Sequence, residues 1–423
     1  MPQNLAEWLA YIERAHAETI ALGLDRVACV AQRMAFAVPP VVITVGGTNG
    51  KGSTCAMLES ILLQAGYRVG LYTSPHILAY NERVRINGQA LSDEALCAGF
   101  AAVDAARGEV ALTYFEFGTL AAMHAFAQAG LDAVILEVGL GGRLDAVNIF
   151  DADCAIVTSV DLDHMEWLGH TREAIGFEKA GIFRAGRPAV VGDPMPPDSL
   201  VEHARAIGAQ LHVSGRDFGF AGDRQQWGYW RRAERGLVRR GGLAYPALRG
   251  ANQLLNASAA ITALEVLRDK LPVGVGDIRR GLILVDLPAR FQVLPGRPAV
   301  VLDVAHNPHA AAVLAENLSN MGFFPETWAV VGMLRDKDMA GTLRGLARRI
   351  DRWLLADLPG PRGASALELR DALDCTAHAA GEKCFERPAE AFLHARAQAQ
   401  EGDRIVVFGS FLTVADVMPV LRA

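Results

Sequence analysis

A glycine-rich segment, VGGTNGKGST at residues 45–54, constrains the fold more than any other part of the chain. Its four glycines allow the backbone to curl so that N–H groups point inward, as in loops that bind phosphate. A β-rich run, PPVVITV, precedes the loop, and a stretch with helical spacing follows it. An ordinary glycine-rich turn would not explain a lysine among four glycines. The segment therefore predicts nucleotide binding, although Gly52 separates Lys51 from Ser53, where the common pattern places Ser or Thr directly after the lysine.

Apolar runs that alternate with helical segments predict an α/β fold. Runs such as LDAVILEVG and DCAIVTSV are continuously apolar, as in parallel strands that are covered on both faces. We expect a phosphate-loop ATPase-like domain with a mostly parallel sheet over residues 1–286 and a smaller Rossmann-like α/β domain over 299–423. The segment LPARFQVLPGRP (287–298) contains three prolines and is interpreted as the linker.

The composition argues against several classes of protein. The net charge of −6 gives no support for a protein that coats nucleic acid. The cysteines form no C-x-x-C pair, which argues against a zinc knuckle or a disulfide framework. The N-terminal stretch is charged and amphipathic, and no apolar run approaches the length of a membrane span. We therefore expect a cytoplasmic protein with neither nucleic-acid nor membrane partners.

Polar side chains end three of the predicted strands. Ser74 ends the run YRVGLYTS, Glu137 ends the apolar run LDAVILE, and His164 follows DCAIVTSV closely. Because ligands of open α/β sheets gather at the carboxyl ends of strands, these residues indicate a metal site beside the phosphate loop. Two alternatives stay open, since Glu137 could cap a helix and a single histidine is more often structural.

Motifs along nearly the whole chain resemble the bacterial bifunctional dihydrofolate synthase/folylpolyglutamate synthase family. In order, they are GTNGKGST, TSPH, ERVRING, TYFEFGT, LEVGLGGRLDAVN, DLDHMEWLG, EKAGIFR, DVAHNPHA, GMLRDKD and GSFLTVADV. They also relate the chain to the wider Mur ligase superfamily, whose loop resembles G-T-N-G-K and so accounts for the extra glycine. The resemblance implies an ATP-dependent carbon–nitrogen ligase. In this chemistry a pteroate or folate carboxyl becomes an acyl phosphate, which the amine of L-glutamate attacks.

The resemblance also implies roles for individual residues. The ATP contacts would come from Thr48, Asn49, Gly50, Lys51, Gly52, Ser53, Asn256, Arg290 and Asp303. Ser74, Glu137 and His164 would hold Mg²⁺, and His306 would face the glutamate and the acyl phosphate. Lys51, Lys179, Asp303 and His306 would be the catalytic residues. Without the family, Asn256 would be interpreted as a helix residue bonded to a neighbour, and Arg290 as a linker charge.

Lys179, in FEKAGIF, has the most specific implied role, because the family carries a carbamylated lysine there. A bare ammonium would repel Mg²⁺, whereas a carbamate supplies anionic oxygens. Carbamylation needs a neutral amine, which burial can provide. The alternative is a surface lysine that pairs with Glu178 or another nearby acid.

Two stretches resemble the family's pterin-binding segments: TYFEFGT, with Thr113, Tyr114, Phe115 and Glu116, and RLDA, with Leu144, Asp145 and Ala146. Phe115 could stack on a pterin or simply pack in the core. In a third stretch, ETIALGLDRV, Ala21 stands where the family usually has an aspartate. The LRDKD segment resembles a monovalent-cation (such as K⁺) or glutamate region, and solvated loop charges are the alternative.

Three other functions are alternatives to the bifunctional ligase. The first is a folylpolyglutamate synthase without the dihydropteroate activity. The second is a peptidoglycan ligase, which would need a separate N-terminal domain of about 100 residues, whereas about forty precede the loop here. The third is a phosphate-loop NTPase switch that hydrolyses ATP without a small-molecule substrate. The resemblance implies a monomer that uses ATP, dihydropteroate, folates and L-glutamate.

Overall fold

A computed structural model describes residues 2–16, 18, 20–223, 225–233, 236–374 and 382–421. The chain divides into two compact units. The first comprises Met1–Ala247 and Leu254–Val285, and the second comprises Leu248–Gln253 and Asp286–Ala423. No helix within the described ranges is both long and apolar enough to cross a membrane.

The first unit is built around a sheet with helices on its faces. Its α-helices are α1 (Leu5–Glu13), α2 (Asp25–Met34), α3 (Lys51–Gln64), α4 (Asp93–Arg107), α5 (Tyr114–Gln128), α6 (Met165–Leu168), α7 (Arg172–Ala180), α8 (Asp198–Ala206), α9 (Gln253–Val266) and α10 (Val275–Leu284). Its strands are β1 (Val42–Gly46), β2 (Val69–Tyr72), β3 (Val84–Ile86), β4 (Gln89–Ala90), β5 (Ala133–Glu137), β6 (Cys154–Val157), β7 (Pro188–Val191), β8 (Gln210–Val213), β9 (Phe218–Gly222), β10 (Trp227–Ala233) and β11 (Gly236–Leu243).

The main sheet has eight strands in the order β4-β3-β2-β5-β1-β6-β7-β8. Strands β2, β5, β1, β6, β7 and β8 run parallel, whereas β3 and β4 are antiparallel at one edge. Every residue of β1, β5 and β6 is buried, as their continuously apolar sequences predict. Strand β1 lies between β5 and β6, so the segments that follow these three strands meet at one edge of the sheet.

The dipeptide Asn87–Gly88 forms the turn of a β-hairpin. Strands β3 and β4 pair across it, and both turn residues have a positive φ, 52° for Asn87 and 77° for Gly88. Asparagine and glycine tolerate this conformation, which explains why the dipeptide marks tight hairpins. Farther along, β9, β10 and β11 form a separate antiparallel sheet.

The second unit contains a six-stranded sheet in the order β12-β13-β17-β14-β15-β16, in which β12 is antiparallel to β13. Its strands are β12 (Gln292–Leu294), β13 (Ala299–Leu302), β14 (Thr327–Val331), β15 (Arg352–Ala356), β16 (Glu382–Phe385) and β17 (Arg404–Phe408). Its helices are α11 (Pro308–Asn320), α12 (Met339–Leu346), α13 (Ala366–Asp374), α14 (Pro388–Gln398) and α15 (Phe411–Val417). The segment interpreted as a linker from the sequence thus contains β12. The predicted fold class, two α/β units with a larger, mostly parallel sheet first, is confirmed.

Candidate active site

The glycine-rich loop follows β1 and is held by the segment that follows β6. The Thr48 N–H donates to the Ser159 carbonyl at 2.7 Å, and the Asn49 N–H donates to Ser159 Oγ at 3.1 Å. Thr158 Oγ1 donates to the Asn49 carbonyl at 2.7 Å. These bonds hold the loop backbone in place before any ligand binds.

Two glycines of the loop sit where no side chain would fit. Gly47 has a φ of 138°, and a Cβ there would lie 1.9 Å from Thr158 Oγ1. Gly50 has a φ of 91°, and a Cβ would lie 2.5 Å from Asn256 Oδ1. The second contact places Asn256, on α9, directly against the loop.

Helix α3 begins at Lys51, so Gly52 and the buried Ser53 form its first turn. The Lys51 ammonium folds back and donates to the carbonyls of Gly47 at 3.0 Å and Thr48 at 3.3 Å. A helix N-terminus presents N–H groups and a partial positive charge to an anion. The arrangement can therefore bind phosphate groups, with Lys51 beside them.

Two predicted metal ligands lie together near the loop. The Ser74 N–H, just beyond β2, donates to Glu137 Oε2 at 3.0 Å, and the Glu137 side chain is buried at the end of β5. Burial raises the pKa of the Cys55 thiol, Glu137 adds to that rise, and the positive charge of Lys51 opposes it. Glu137 is also the register partner of Val45 on β1, so it lies at the edge of the sheet where the loop begins.

His164 immediately precedes α6 and has a positive φ of 51°. Its Nε2 lies 4.0 Å from Asp163 Oδ1. Within the described ranges, no group of three or more His, Cys, Asp or Glu side chains is arranged to hold a metal ion. The predicted metal ligands include only two residues of those types, Glu137 and His164, since the third ligand is the Ser74 hydroxyl. The predicted set is therefore not a group of that kind.

Lys179 is buried in the last turn of α7. Burial, and then repulsion from Lys51, lowers its pKa to about 7, while Asp163 and Asp145 oppose that change. Glu178, the pairing partner that the sequence left open, forms an ion pair with Arg143 at 2.8 Å instead. The structure therefore places the Lys179 amine in the same charged group as Lys51, Asp163 and Asp145.

Asp145 is buried and holds the backbone around it. Its Oδ2 accepts the Leu140 N–H at 2.8 Å, and its Oδ1 accepts the Val147 N–H at 3.1 Å at the start of a short 3₁₀ helix. Burial raises the pKa of this carboxyl to about 6. The neighbouring Leu144 is half-buried and Ala146 is buried. A backbone-organising role accounts for the observed contacts of Asp145.

Thr113 and Glu116, predicted to bind substrate, cap helix α5. The Glu116 N–H donates to Thr113 Oγ1 at 3.3 Å, and the Thr113 N–H donates to Glu116 Oε2 at 2.8 Å. Arg26 forms an ion pair with the buried Glu116 carboxylate at 3.0 Å, and its guanidinium also donates a hydrogen bond to the Ala21 carbonyl at 2.7 Å. Ala21 thus takes part through its backbone, which does not depend on the residue type at that position.

The aromatic residues beside this cap pack against neighbouring rings in two pairs. The ring centroids of Phe115 and Tyr72 are 5.7 Å apart, and a Cβ on Gly139 would lie 2.7 Å from Phe115 Cζ. Because Gly139 follows Glu137 by two residues, Phe115 lies alongside the segment that leaves β5. Tyr114 packs edge-on against Tyr80, with centroids 5.8 Å apart.

In the second unit, three predicted residues lie together at the carboxyl end of β13. The Asp303 carboxylate accepts the N–H groups of Phe291 at 2.8 Å and Ala305 at 2.7 Å. The Arg290 guanidinium lies 4.9 Å from the Phe411 ring centroid, and the His306 ring lies 6.5 Å from the same centroid. Burial raises the pKa of Asp303, although the Ala305 N–H and Arg290 oppose the rise.

The sequence did not single out several residues that shape the site. Thr158 and Ser159 fasten the phosphate loop, but hydroxyl residues after a strand carry no distinguishing pattern. Asp161, whose N–H donates to Thr48 Oγ1 at 3.0 Å, belongs with them. Arg26 could have been suspected only from a buried glutamate that needs a cation, and burial is not visible in a sequence.

Comparisons with known proteins agree with this geometry. Residues 45–191 match the Mur ligase middle domain, and residues 289–411 match the Mur ligase, glutamate ligase domain. The fold and the site are therefore those of a Mur-type ligase. The dihydrofolate synthase/folylpolyglutamate synthase of Escherichia coli K12 is 48% identical over 421 residues, 99% of this chain and 96% of that protein. Its Haemophilus influenzae counterpart is 42% identical over 437 residues, 99% of this chain and 98% of that protein. The chain belongs to the dihydrofolate synthase/folylpolyglutamate synthase family.

Solved structures extend the similarity to three dimensions. The structure of Escherichia coli FolC in complex with DHPP and ADP superposes with a TM-score of 0.94 at 46% identity, covering 100% of this chain and 99% of that one. A bifunctional folylpolyglutamate synthase/dihydrofolate synthase with Mn, AMPPNP and L-glutamate bound has a TM-score of 0.91 at 48% identity, covering 100% of this chain and 98% of that one. The family and the ligase class expected from the motifs are confirmed.

Proposed function

We propose that this protein uses ATP to ligate L-glutamate to dihydropteroate, which forms dihydrofolate, and to the γ-carboxyl group of folates, which extends their glutamate tail. The observation that carries the proposal is the phosphate loop at the start of α3, with the Ser74–Glu137 pair close by. Similarity to bifunctional relatives over 99% of the chain supports the substrates.

The loop suits phosphoryl transfer to a carboxylate. This chemistry depends on charge neutralisation and alignment more than on covalent help from the protein. The backbone N–H groups of the loop, the start of α3 and the Lys51 ammonium supply positive potential. The substrate carboxylate oxygen attacks the terminal phosphorus of ATP, and ADP leaves. The glutamate amine then attacks the acyl carbon and releases a proton, and phosphate leaves with the electrons of the broken carbon–oxygen bond.

A divalent cation fits the residues beside the loop. The buried Glu137 carboxylate is held by the Ser74 N–H, and Ser74 brings a hydroxyl oxygen to the same place. Oxygen donors of this kind suit Mg²⁺, and a relative's structure contains Mn. We infer that Ser74, Glu137 and His164 hold the ion, which when bound would neutralise phosphate charge. A monovalent cation near LRDKD stays a prediction.

Carbamylation of Lys179 is part of the proposal. A pKa of about 7 leaves a substantial fraction of neutral amine near neutral pH, which is the form that attacks CO₂. The amine nitrogen bonds to the carbon and releases a proton, which leaves an anionic carbamate. That product would replace a buried positive charge next to Lys51 with a negative one. Intact-mass measurement under conditions that preserve carbamates tests the modification directly.

Residues of the second unit complete the assignment. We assign ATP contacts to Arg290 and Asp303, and contacts to glutamate and the acyl phosphate to His306. Their common position at the carboxyl end of β13 supports this, because open α/β sheets bind ligands at that edge. The pterin contacts of residues 113–116 and 144–146 stay predictions, as do the monomeric state and the cytoplasmic location.

A folylpolyglutamate synthase without the dihydropteroate activity is the second candidate. The folylpolyglutamate synthase of Lacticaseibacillus casei is 34% identical over 330 residues, 75% of this chain and 77% of that protein. The higher identity and fuller coverage of the bifunctional relatives favour the first candidate.

Phosphate release from ATP and Mg²⁺ separates the candidates. Dihydropteroate and L-glutamate are added singly and together, and the product is identified by mass. Release only with both, together with a dihydrofolate mass, supports the bifunctional enzyme. Release with tetrahydrofolate and glutamate but not with dihydropteroate leaves polyglutamylation alone. Release with no acceptor present would contradict the ligase and favour the NTPase switch.

A further inference from the structure

Contacts on several sides orient the guanidinium group of Arg83, and no acidic side chain among the described residues pairs with it. It ends a short 3₁₀ helix (Tyr80–Arg83) that leads into β3. Its guanidinium carbon lies 5.3 Å from the ring centroid of Tyr80 and 5.5 Å from that of Tyr114. Its Nε donates to His76 Nδ1 at 2.8 Å. Two aromatic rings and one hydrogen bond thus restrict the guanidinium plane, while both terminal nitrogens keep their donors for another group.

The nearest acid in sequence is already engaged. The Glu82 carboxylate accepts the N–H groups of Ile77, Leu78 and Ala79 at 2.7–2.8 Å. No described carboxylate lies within ion-pair distance of Arg83. By contrast, Arg85, two residues later in β3, pairs with the buried Glu59 at 2.9 Å. The two terminal nitrogens of an oriented guanidinium can bind both oxygens of a carboxylate. Arg83 is therefore suited to binding the carboxylate of a ligand.

Arg83 is also close to the proposed reaction centre. Its carbonyl accepts the Thr73 N–H at 2.9 Å, one residue before Ser74, whose own N–H binds Glu137. Strand β3, which begins directly after Arg83, pairs with β2, which ends at Tyr72. Tyr72 in turn contacts Phe115, in the segment expected to bind the pterin. The cation therefore lies beside both the proposed metal ligands and the proposed substrate segment.

The two proposed reactions differ by one negative charge. Dihydropteroate ends in a single carboxyl group, and that group becomes the acyl phosphate. A folate that already carries glutamate brings an α-carboxylate in addition to the γ-carboxyl that reacts. We propose that Arg83 binds this α-carboxylate through its two terminal nitrogens and is a specificity-determining residue for glutamate-tail extension. The inference rests on the proposed function and assigns one of its two activities to a particular side chain.

The test compares the two activities in the same variants. For Arg83→Ala, we expect kcat/KM with tetrahydrofolate monoglutamate to fall roughly 10- to 100-fold, the usual effect of losing hydrogen bonds to a charged group, and mainly through KM. With dihydropteroate, kcat/KM should change by less than about threefold, since less than about 1 kcal/mol is then involved. Arg83→Lys keeps the positive charge but loses the paired terminal nitrogens of the guanidinium. Its kcat/KM with tetrahydrofolate monoglutamate should lie between those of the wild type and Arg83→Ala. His76→Ala removes the hydrogen bond that helps to orient Arg83, so it should lower the ratio of extension to dihydrofolate synthesis in the same direction as Arg83→Ala, but by less.

A modified substrate separates binding from a structural role. In a folate analogue, γ-aminobutyrate replaces the terminal glutamate and removes only the α-carboxylate. The wild type should use this analogue poorly, and Arg83→Ala should lower its kcat/KM no further. If Arg83 only stabilises the loop at residues 76–79, Arg83→Ala should lower kcat/KM equally for dihydropteroate, the folate and the analogue. That result would overturn the inference. Thermal melting shows whether Arg83→Ala is folded. If it is unfolded, the kcat/KM values of Arg83→Lys and the activity of the wild type with the analogue test the inference instead.

Failure of the proposed function would look different. If the wild-type protein makes dihydrofolate but extends no folate, the proposed extension activity is wrong, and the inference about Arg83 is wrong with it. A wild-type protein that extends folates, with Arg83→Ala extending them equally well, would overturn the inference about Arg83 alone.

Discussion

Gly50 of the phosphate loop and Asn256 of helix α9 lie in direct contact. A Cβ on Gly50 would lie 2.5 Å from Asn256 Oδ1, and the backbone of Gly50 is left-handed with a φ of 91°. More than two hundred residues separate them in the chain. The contact fixes the distance between the loop backbone and a side-chain amide that we assign to ATP.

Gly50→Ala should therefore impair nucleotide binding beyond its effect on stability. Gly66→Ala is a matched control, because Gly66 has a φ of 87° but nothing within 4 Å of its Cβ position. Each variant should lose about 1–2 kcal/mol from left-handed strain. Only Gly50→Ala should also weaken ATP binding, by roughly tenfold or more, because Asn256 must move. Calorimetric titration and thermal melting of both variants check this, and equal ATP affinities would contradict it.

Glu137→Gln should separate metal binding from folding. The glutamine can still accept the Ser74 N–H, so the fold should persist, while the charge that we assign to the cation is lost. We expect the Mg²⁺ concentration needed for half-maximal activity to rise at least about tenfold. Glu116→Gln alters another buried glutamate, which pairs with Arg26 at 3.0 Å. It should cost stability, by about 1–3 kcal/mol, with no change in Mg²⁺ dependence; a shift of similar size there would contradict the assignment of Glu137.

The burial of Lys179 should make the free energy of unfolding depend on pH. Its folded pKa of about 7 lies below the unfolded value of 10.5, so the unfolded state binds more protons between these pH values. Burying an unmodified Lys179 therefore costs most below pH 7, and the cost disappears as the pH rises towards 10.5. Lys179→Met should be stabilised relative to wild type at pH 6.5, by up to ~4 kcal/mol, and progressively less at higher pH.

Chemical denaturation at several pH values, under CO₂-free buffer, measures this difference. A stability difference that does not change with pH would contradict the expected titration. Adding bicarbonate should raise wild-type stability and leave Lys179→Met unchanged, since only the lysine can form a carbamate.

Asp303 and Asp403 offer a matched pair in the second unit. Each carboxylate accepts two backbone N–H groups, those of Phe291 and Ala305 for Asp303, and those of Glu326 and Gln400 for Asp403. Asp303 follows β13 at its carboxyl end, whereas Asp403 precedes β17 at the amino end. Replacing either with alanine should cost about 1–3 kcal/mol of stability.

Only Asp303→Ala should abolish ligation, because ligands bind at the carboxyl ends of parallel strands. Equal loss of activity in folded samples of both variants would show that Asp303 acts by holding the backbone alone. Steady-state ligation assays beside denaturant unfolding make the comparison.

Local patterns predicted much of the fold because they depend on neighbours in sequence. The continuous apolar runs of β5 and β6 correspond to strands buried on both faces, and Asn87–Gly88 forms the turn that its residue types favour. The glycines around Lys51 likewise indicated a loop between a strand and a helix. The motif order, in turn, identified the family.

Tertiary structure decided what those residues touch. Whether Lys179 is a surface lysine paired with Glu178 or a buried amine beside Lys51 depends on how α7 packs, and sequence spacing leaves both open. The same holds for Asp145 and Glu116, whose carboxylates hold backbone N–H groups. The contact of Gly50 with Asn256 and the placement of the Arg83 guanidinium beside Tyr80, Tyr114 and His76 also required coordinates. Burial and long-range contact follow from strand order and helix packing, which bring together residues that no local pattern relates.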